Sequence, residues 1–454
     1  MFFKKKIGKQ KPLFFALGLS ITLGTPLPLT AANLRGAVGG QASTASDSSL
    51  IGNKAILGLN DVLKLALDRN PQLSAARSKI VVRQAQAQQV ALLPNPTLSV
   101  QLQNVGVSES AFPDEGLEAT LFLQQVIELG GKRGHRGSVH DSRVRAAEAD
   151  MDIARLQVIA DTTVAFIDAL AQQQALGIAE EKTQLAEELL RAVRLLVKKG
   201  AISGAEIPRA EVEVLLQKSE TRRKGRALRE SFVRLATMWG AEDFAYSRLR
   251  GNLEIQGDVP TWPRLVSMLE RSPQQERWDV EIEQSQFAVK LENARRIPNI
   301  QLGVGPKYFD SNDEWGLQLG LSMALPVFNR NQGARRESVA HLARAREEQE
   351  DSRLELRRRL SLSRETMLMS YDEARALEEE ILPRAREAYD EIRRGHVEGA
   401  FELTAVLDAQ RSLFVLQSRL LEAQRSYRVA QARAEQLVGE SILTHLGDER
   451  YEDS

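Results

Sequence analysis

Cysteine is absent from the 454 residues, which excludes disulfides, thiolate metal sites and a lipid-bearing N-terminal cysteine. Aromatic side chains make up only 5% while charged ones reach 27%, a balance that suits long two-faced helices better than a compact enzyme core. Lysine plus arginine and aspartate plus glutamate both number 61, so no excess charge draws the chain to nucleic acid. Beyond the N-terminus no stretch approaches the roughly 18 apolar residues of a membrane-spanning helix. Histidine is sparse: His135 and His140 do not share a helical face, and His341, His396 and His445 are scattered, so no metal site and no cofactor are expected. No paired-carboxylate, nucleophile–base or phosphate-loop arrangement stands in a plausible context, since Gly130-Gly131-Lys132 lacks the following Ser or Thr. The expectation is a protein that is not an enzyme.

What is present begins with an export signal. Lys4, Lys5, Lys6, Lys9 and Lys11 precede an apolar run from Leu13 to Leu23, and Thr30-Ala31-Ala32 offers a small-residue cleavage site, so residues 1–32 read as a signal peptide. Residues 33–58, rich in Gly, Ala and Ser, read as an arm. Two halves follow, 59–240 and 263–440, joined by a glycine-bearing linker 241–262 and closed by an acidic tail 441–454.

Each half is built around a hairpin of alternating residues. In the first, Leu98, Val100 and Leu102 share a face, and Leu117, Ala119, Leu121 and Leu123 alternate with Glu118, Thr120, Phe122 and Gln124, across a loop holding Ser108, Glu109, Pro113 and Asp114. The second has Ile300, Leu302 and Val304, then Leu317, Leu319, Leu321 and Met323, joined through 310–313. One side is apolar and the other polar, and strands of about 9 to 11 residues match a tilted membrane crossing. Four strands cannot close a barrel, which needs about eight at least. The lipid face is assigned to Leu98, Val100, Leu102, Leu121, Leu123, Leu317, Leu319 and Leu321; Ala119 is left unassigned. Two soluble hairpins on a helical core remain the alternative.

Helical segments flank both hairpins. Asn70-Pro71 breaks the first helix, a further run extends from Gln72 to Leu93, and Pro94 and Pro96 end it. Gly130, Gly131 and Gly134 then loosen the chain into a flexible junction, and from His135 to Lys199 no proline occurs. Gly200 ends that helix, Ser203 is the predicted cap of the returning one, and Pro208 fits its first turn. The second half repeats the plan, with a break at Ser272-Pro273, a stop at Ile297-Pro298, and Pro383 predicted to kink the long helix. Gly399 stands where Gly200 stood, 399 − 200 = 199, and the same offset carries Ile207, Val214, Thr221, Leu228 and Leu235 onto Val406, Leu413, Leu420, Tyr427 and Ala434. Such seven-residue stripes belong to coiled-coil packing. A parallel stripe, Gln410, Gln417, Gln424 and Gln431, reads either as a solvated face or as amides lining a wet wall.

Leu93-Pro94-Asn95-Pro96 entering the first hairpin, Ile127-Glu128-Leu129-Gly130-Gly131-Lys132-Arg133 leaving it, and GAFELTAVLDAQRSL at 399–413 together make the chain resemble the TolC-type outer-membrane efflux channels of Gram-negative bacteria. The resemblance spans roughly residues 55–440. It implies a mainly α fold with a small β part: a homotrimer whose strands close a twelve-stranded transmembrane barrel in outer-membrane lipid, continued by a long periplasmic α-helical barrel. It also implies a periplasmic adaptor docking on the helical turns, and an inner-membrane pump of RND type. The tip and constriction would hold Gly200, Ser203, Glu206, Gly399, Glu402 and Asp408. Asp408 matches one member of the family's acidic ring, whereas Ala405 stands where the other aspartate is usual. IELGGKR and Asp408-Ala409-Gln410-Arg411 are most like the heavy-metal branch, cobalt-zinc-cadmium or copper-silver efflux.

The function expected is a passive exit duct in the outer membrane, extending into the periplasm and exporting heavy-metal cations. A multidrug or type I secretion channel is one alternative. A soluble periplasmic coiled-coil scaffold is another, and it would leave the membrane with salt or alkali where a barrel needs detergent.

Overall fold

The computed structural model describes residues 56–105, 116–244 and 246–442. The predicted signal peptide, the arm up to residue 55, the first hairpin's loop and the tail beyond residue 442 lie outside the described residues.

The first half opens with a short strand β1 (Ile56–Leu57) and helix α1 (Leu59–Arg69), whose start is fixed by Asp61 Oδ2 accepting from Gly58 N at 2.9 Å. Asn70 then ends one helix and caps the next, α2 (Pro71–Val90): its Oδ1 accepts from Gln72 N at 2.8 Å and its Nδ2 donates to Met238 O at 2.8 Å. Strands β2 (Thr97–Gln103) and β3 (Glu118–Ile127) lead into α3 (Lys132–Lys198). With 67 residues at a rise of about 1.5 Å each, α3 runs about 100 Å. The return helix α4 (Glu206–Thr237) starts two residues later than a cap at Ser203 predicts, with Ala205 in the cap position; Ser203 Oγ accepts from Ala205 N at 3.3 Å and so shapes the turn before it.

The linker is more structured than its glycines suggest. Strand β4 (Arg248–Leu249) pairs in parallel with β1, so the start of the first half is stitched to the linker after it. Next come α5 (Trp262–Leu269), α6 (Pro273–Ala294), β5 (Ile300–Phe309), β6 (Glu314–Met323), α7 (Gln332–Ala376), α8 (Leu382–Val397) and α9 (Leu403–Val438). At the kink predicted for Pro383, a π-helical turn, Leu377–Ile381, separates α7 from α8 and leaves the proline in the first turn of α8, where its missing N–H costs least.

The four longer strands form a second sheet in the order β2-β3-β5-β6, antiparallel throughout. Leu98, Leu123, Val304 and Leu319 are successive cross-strand partners, an apolar row that spans all four strands and both halves. The opposite face is not uniformly wet. Phe122, expected among polar neighbours, is buried there in a niche made by Gly303 and Gly320, where an added Cβ would come within 2.4 and 2.7 Å of its ring.

The helices repeat the strand order: α2, α3, α6 and α7 lie side by side below the sheet. Farther along, α3 packs on α4 and α9, and α9 on α7 and α8. Two matching cores hold mid-height. One gathers Val62, Phe166, Leu170, Leu235 and Trp239, the other Leu265, Leu360, Met367, Tyr427 and Ala434. The heptad stripes supply both, and Val214, Leu235, Val406, Leu413, Tyr427 and Ala434 are buried. The glutamine stripe corrects the solvated-face alternative: Gln410, Gln424 and Gln431 are buried within the chain, and Gln431 bridges Arg428 and Glu435.

Candidate functional site

Three places carry the residues singled out by sequence: the two helical turns, the outer sheet face, and the junction between sheet and helices.

The turns are closed alike. Gly200 (φ 72°) and Gly399 (φ 84°) take the left-handed conformation, and the next residue donates back across the turn, Ala201 N to Leu196 O at 3.0 Å and Ala400 N to Gly395 O at 2.8 Å. Glycine is needed because a side chain is strained at that φ. The two turns meet over one apolar cluster that includes Val193, Val197, Ile202, Leu403 and Leu407. Their polar residues differ. In the first, Glu206 Oε2 makes no hydrogen bond and faces Arg209 Nη1 at 3.9 Å. In the second, Glu402 stands in extended backbone just before α9, and its Oε2 accepts from Thr404 Oγ1 at 3.3 Å. Asp408 stands exposed, 3.8 Å from Arg411 Nη1. The shared offset places Arg209 where the second turn has Asp408, since 408 − 199 = 209. His396, dismissed as scattered, is buried in the last turn of α8, with Nδ1 2.8 Å from the Phe401 carbonyl oxygen.

On the sheet, Leu98, Val100, Leu102, Leu121, Leu123, Leu317, Leu319 and Leu321 are all exposed in the single chain, Leu319 at 75%. Ala119 is half-buried and pairs with Leu102 and Tyr308.

Sequence reasoning missed what the junction does. The Gly130-Gly131 pair was expected to be flexible, but the chain there is tied down on every side. Gly130 sits so close to Ile297 that a Cβ would meet its Cδ1 at 2.7 Å. The buried Lys132 ammonium donates to Asn299 Oδ1. Arg133 and Arg136 donate through Nε to the carbonyls of Ala91 and Val90 at 2.6 and 2.9 Å, covering the end of α2, whose own last turn has no cation. Arg136 also grips Glu128 with both guanidinium branches, at 2.8 and 2.9 Å. That hydrogen bonding holds the Glu128 carboxyl below its ordinary value against the opposing effect of burial, and burial pushes the Lys132 ammonium down. The cations in IELGGKR were legible, but their partners lie about 40 to 170 residues away. Lower down, burial raises the Asp150 carboxyl, yet hydrogen bonds from Lys79 and Arg277 outweigh it and leave the group below its usual range. This cluster ties α2 and α6, one from each half, to α3.

Among the described residues no three His, Asp or Glu side chains converge as a metal cage would require. No described helix is long and apolar enough to cross a membrane.

Comparison with known proteins gives the arrangement its context. A family model described as "Outer membrane efflux protein" matches residues 62–241 and 265–440. The cobalt-zinc-cadmium resistance protein CzcC of Cupriavidus metallidurans is 27% identical over 365 residues, covering 80% of this chain and 86% of CzcC. The nickel and cobalt resistance protein CnrC of the same organism is 26% identical, over 65% of this chain and 70% of CnrC. The crystal structure of the outer membrane protein VceC from Vibrio cholerae superposes with a TM-score of 0.69 at 18% identity, covering 85% of this chain and 97% of VceC.

Proposed function

The chain belongs to the outer membrane efflux protein family, and on that premise we propose that three copies form a passive duct across the outer membrane and periplasm. The duct is coupled through a periplasmic adaptor to an inner-membrane pump and carries heavy-metal cations. The observation that carries the reading is a four-stranded sheet left open at both edges, β2 and β6, with an apolar row exposed across its whole width. An open edge presents unpaired N–H and C=O groups, which lipid cannot satisfy. Pairing β6 of one copy with β2 of the next removes every edge when three copies close, since 3 × 4 = 12 strands. The helices at the flanks of each copy, α2 and α7, follow the same order and meet across the same seams.

The duct's lower end is assigned to the two turns around Gly200 and Gly399. There Asp408 from three copies forms an acidic constriction that favours cations, with Arg411 moderating the field. The metal class rests on the resistance proteins named above, and no metal-binding chemistry is asked of the chain itself.

The test is planar-bilayer conductance of detergent-extracted protein with its oligomer mass measured in the same preparation. A trimer giving discrete, cation-preferring channels is the expected result. A protein released by salt or alkali and silent in bilayers overturns the duct in favour of a soluble scaffold.

A further inference from the structure

The chain leaves the sheet twice, and the two exits are built differently. After β3 only residues 128–131 precede α3, whereas after β6 the eight residues 324–331 precede α7. The longer exit has a well-defined backbone. Val327 N donates to Leu325 O at 2.9 Å around Pro326, and Gln332 Nε2 donates to Phe328 O at 3.3 Å. Asn331 Nδ2 clamps the end of the segment to Glu292 of α6, at 2.9 Å to its carbonyl and 2.7 Å to its carboxylate. Yet the side chains on this held backbone are left in the open. Leu325 and Val327 are exposed, and Phe328 is 92% exposed.

These side chains are continuous with the outward apolar face. Leu317, Leu319, Leu321 and Met323 alternate along β6 on the exposed side, and Leu325 extends the alternation past the strand's end. Immediately beyond stand Arg330, Arg335 and Arg336, all exposed and none with a carboxylate partner within 4.0 Å among the described residues. Apolar row, then aromatic, then cations is the order of layers met on leaving a bilayer: hydrocarbon, the headgroup boundary where aromatic rings settle, and the phosphates.

We infer that the segment Leu325–Arg336 is a membrane-interface anchor, with Phe328 seated at the headgroup boundary of the periplasm-facing leaflet and Arg330, Arg335 and Arg336 on phospholipid phosphates. The inference rests on the barrel reading above. It fixes the depth and rotation of the duct at one point per copy, on the second exit and not on the first, whose cations are already spent on the end of α2 and on Glu128.

Because the chain has no cysteine, single-cysteine variants carry a spin label at one site only. Leu319→Cys, Phe328→Cys and Lys199→Cys would be labelled, checked for trimer mass and placed in vesicles of phosphatidylethanolamine and phosphatidylglycerol. Collision with oxygen, which concentrates in lipid, is then compared with collision with a water-soluble nickel chelate. The expected result is a label at 319 reached by oxygen and shielded from nickel, a label at 199 reached by nickel, and a label at 328 between them at headgroup depth. A label at 328 as open to nickel as the one at 199 overturns the anchor, as does one shielded from both reagents, which would mean another copy covers the segment. In either case a lipid-buried label at 319 leaves the barrel standing, whereas a label at 319 open to nickel removes the barrel and the anchor together.

Discussion

The two halves of the chain share a plan and a near-constant offset, but they spend their side chains differently at matching places. At the sheet exits, the first half turns in four residues and binds them with Lys132, Arg133 and Arg136; the second takes eight and leaves Phe328 bare. At the helical turns, the glycine and its backbone bonds are shared between halves, while Arg209 occupies the position in the first half that Asp408 occupies in the second. Duplication thus preserves what the backbone requires and frees the side chains for separate work. One half braces the sheet against the helices, and the other presents surface to the surroundings.

The outer face is where the halves should behave alike. Leu319→Arg and Leu121→Arg are each expected to cost about 2 to 4 kcal/mol near the bilayer midplane and to abolish trimer recovery from outer membranes. Normal yield from either variant would place that strand face away from lipid. At the exits the halves should part. Arg136→Ala leaves the Glu128 carboxylate half-buried without its partner and should cost about 2 to 3 kcal/mol, read as a lower dissociation temperature of the trimer. Asn331→Ala, at the other exit, removes hydrogen bonds worth about 1 kcal/mol and should lower it less. Equal losses would erase the distinction between a braced exit and a presented one.

Acid sharpens the same contrast. The Glu128 carboxyl lies below its ordinary value of 4.5 in the folded chain, so the stability it lends is complete above that pH and drains away as pH falls through the lowered value. Glu128→Gln should therefore flatten the fall in melting temperature below about pH 4.5 while lowering the plateau near neutrality. An unchanged acid limb would show that other carboxylates, such as Asp150, carry it. The smallest effect is at the turns: Asp408→Asn should reduce cation preference in single-channel recordings with no loss of stability, and Arg209→Gln in the first half should not. Selectivity unmoved by Asp408→Asn would take that carboxylate out of the pore lining.

Periodicity made much of this fold legible. The alternation of Leu98, Val100 and Leu102, the prolines at 71, 94, 273 and 298, and the sevenfold stripes each report a local geometry, so strands, breaks and buried faces could be read without partners. What escaped depends on partners. Nothing near Phe122 announces that Gly303 and Gly320, far along the chain, clear a space for its ring. A two-residue strand such as β4 is too short to show a period. The glutamines of α9 look solvated one at a time and are buried because the stripe beside them packs. At the turns, Gly200 and Gly399 were legible from backbone need alone, whereas the burial of His396 was not.

That burial has a cause in the π-helical turn. Leu360, Met367 and Ala374 are buried seven residues apart along α7, and Leu382, Tyr389 and His396 continue inward along α8 seven apart, but the step from 374 to 382 is eight. The extra residue falls across Leu377–Ile381. A helix residue turns about 100° around the axis, so the side facing α9 slips by one residue there. Counted strictly in sevens, Ala374 would be followed by Ile381 and Ala388, both of which point to solvent. The turn thus works as a syncopation in an otherwise even beat, and every inward side chain below it, the histidine beside the second glycine turn included, owes its place to that one displaced count.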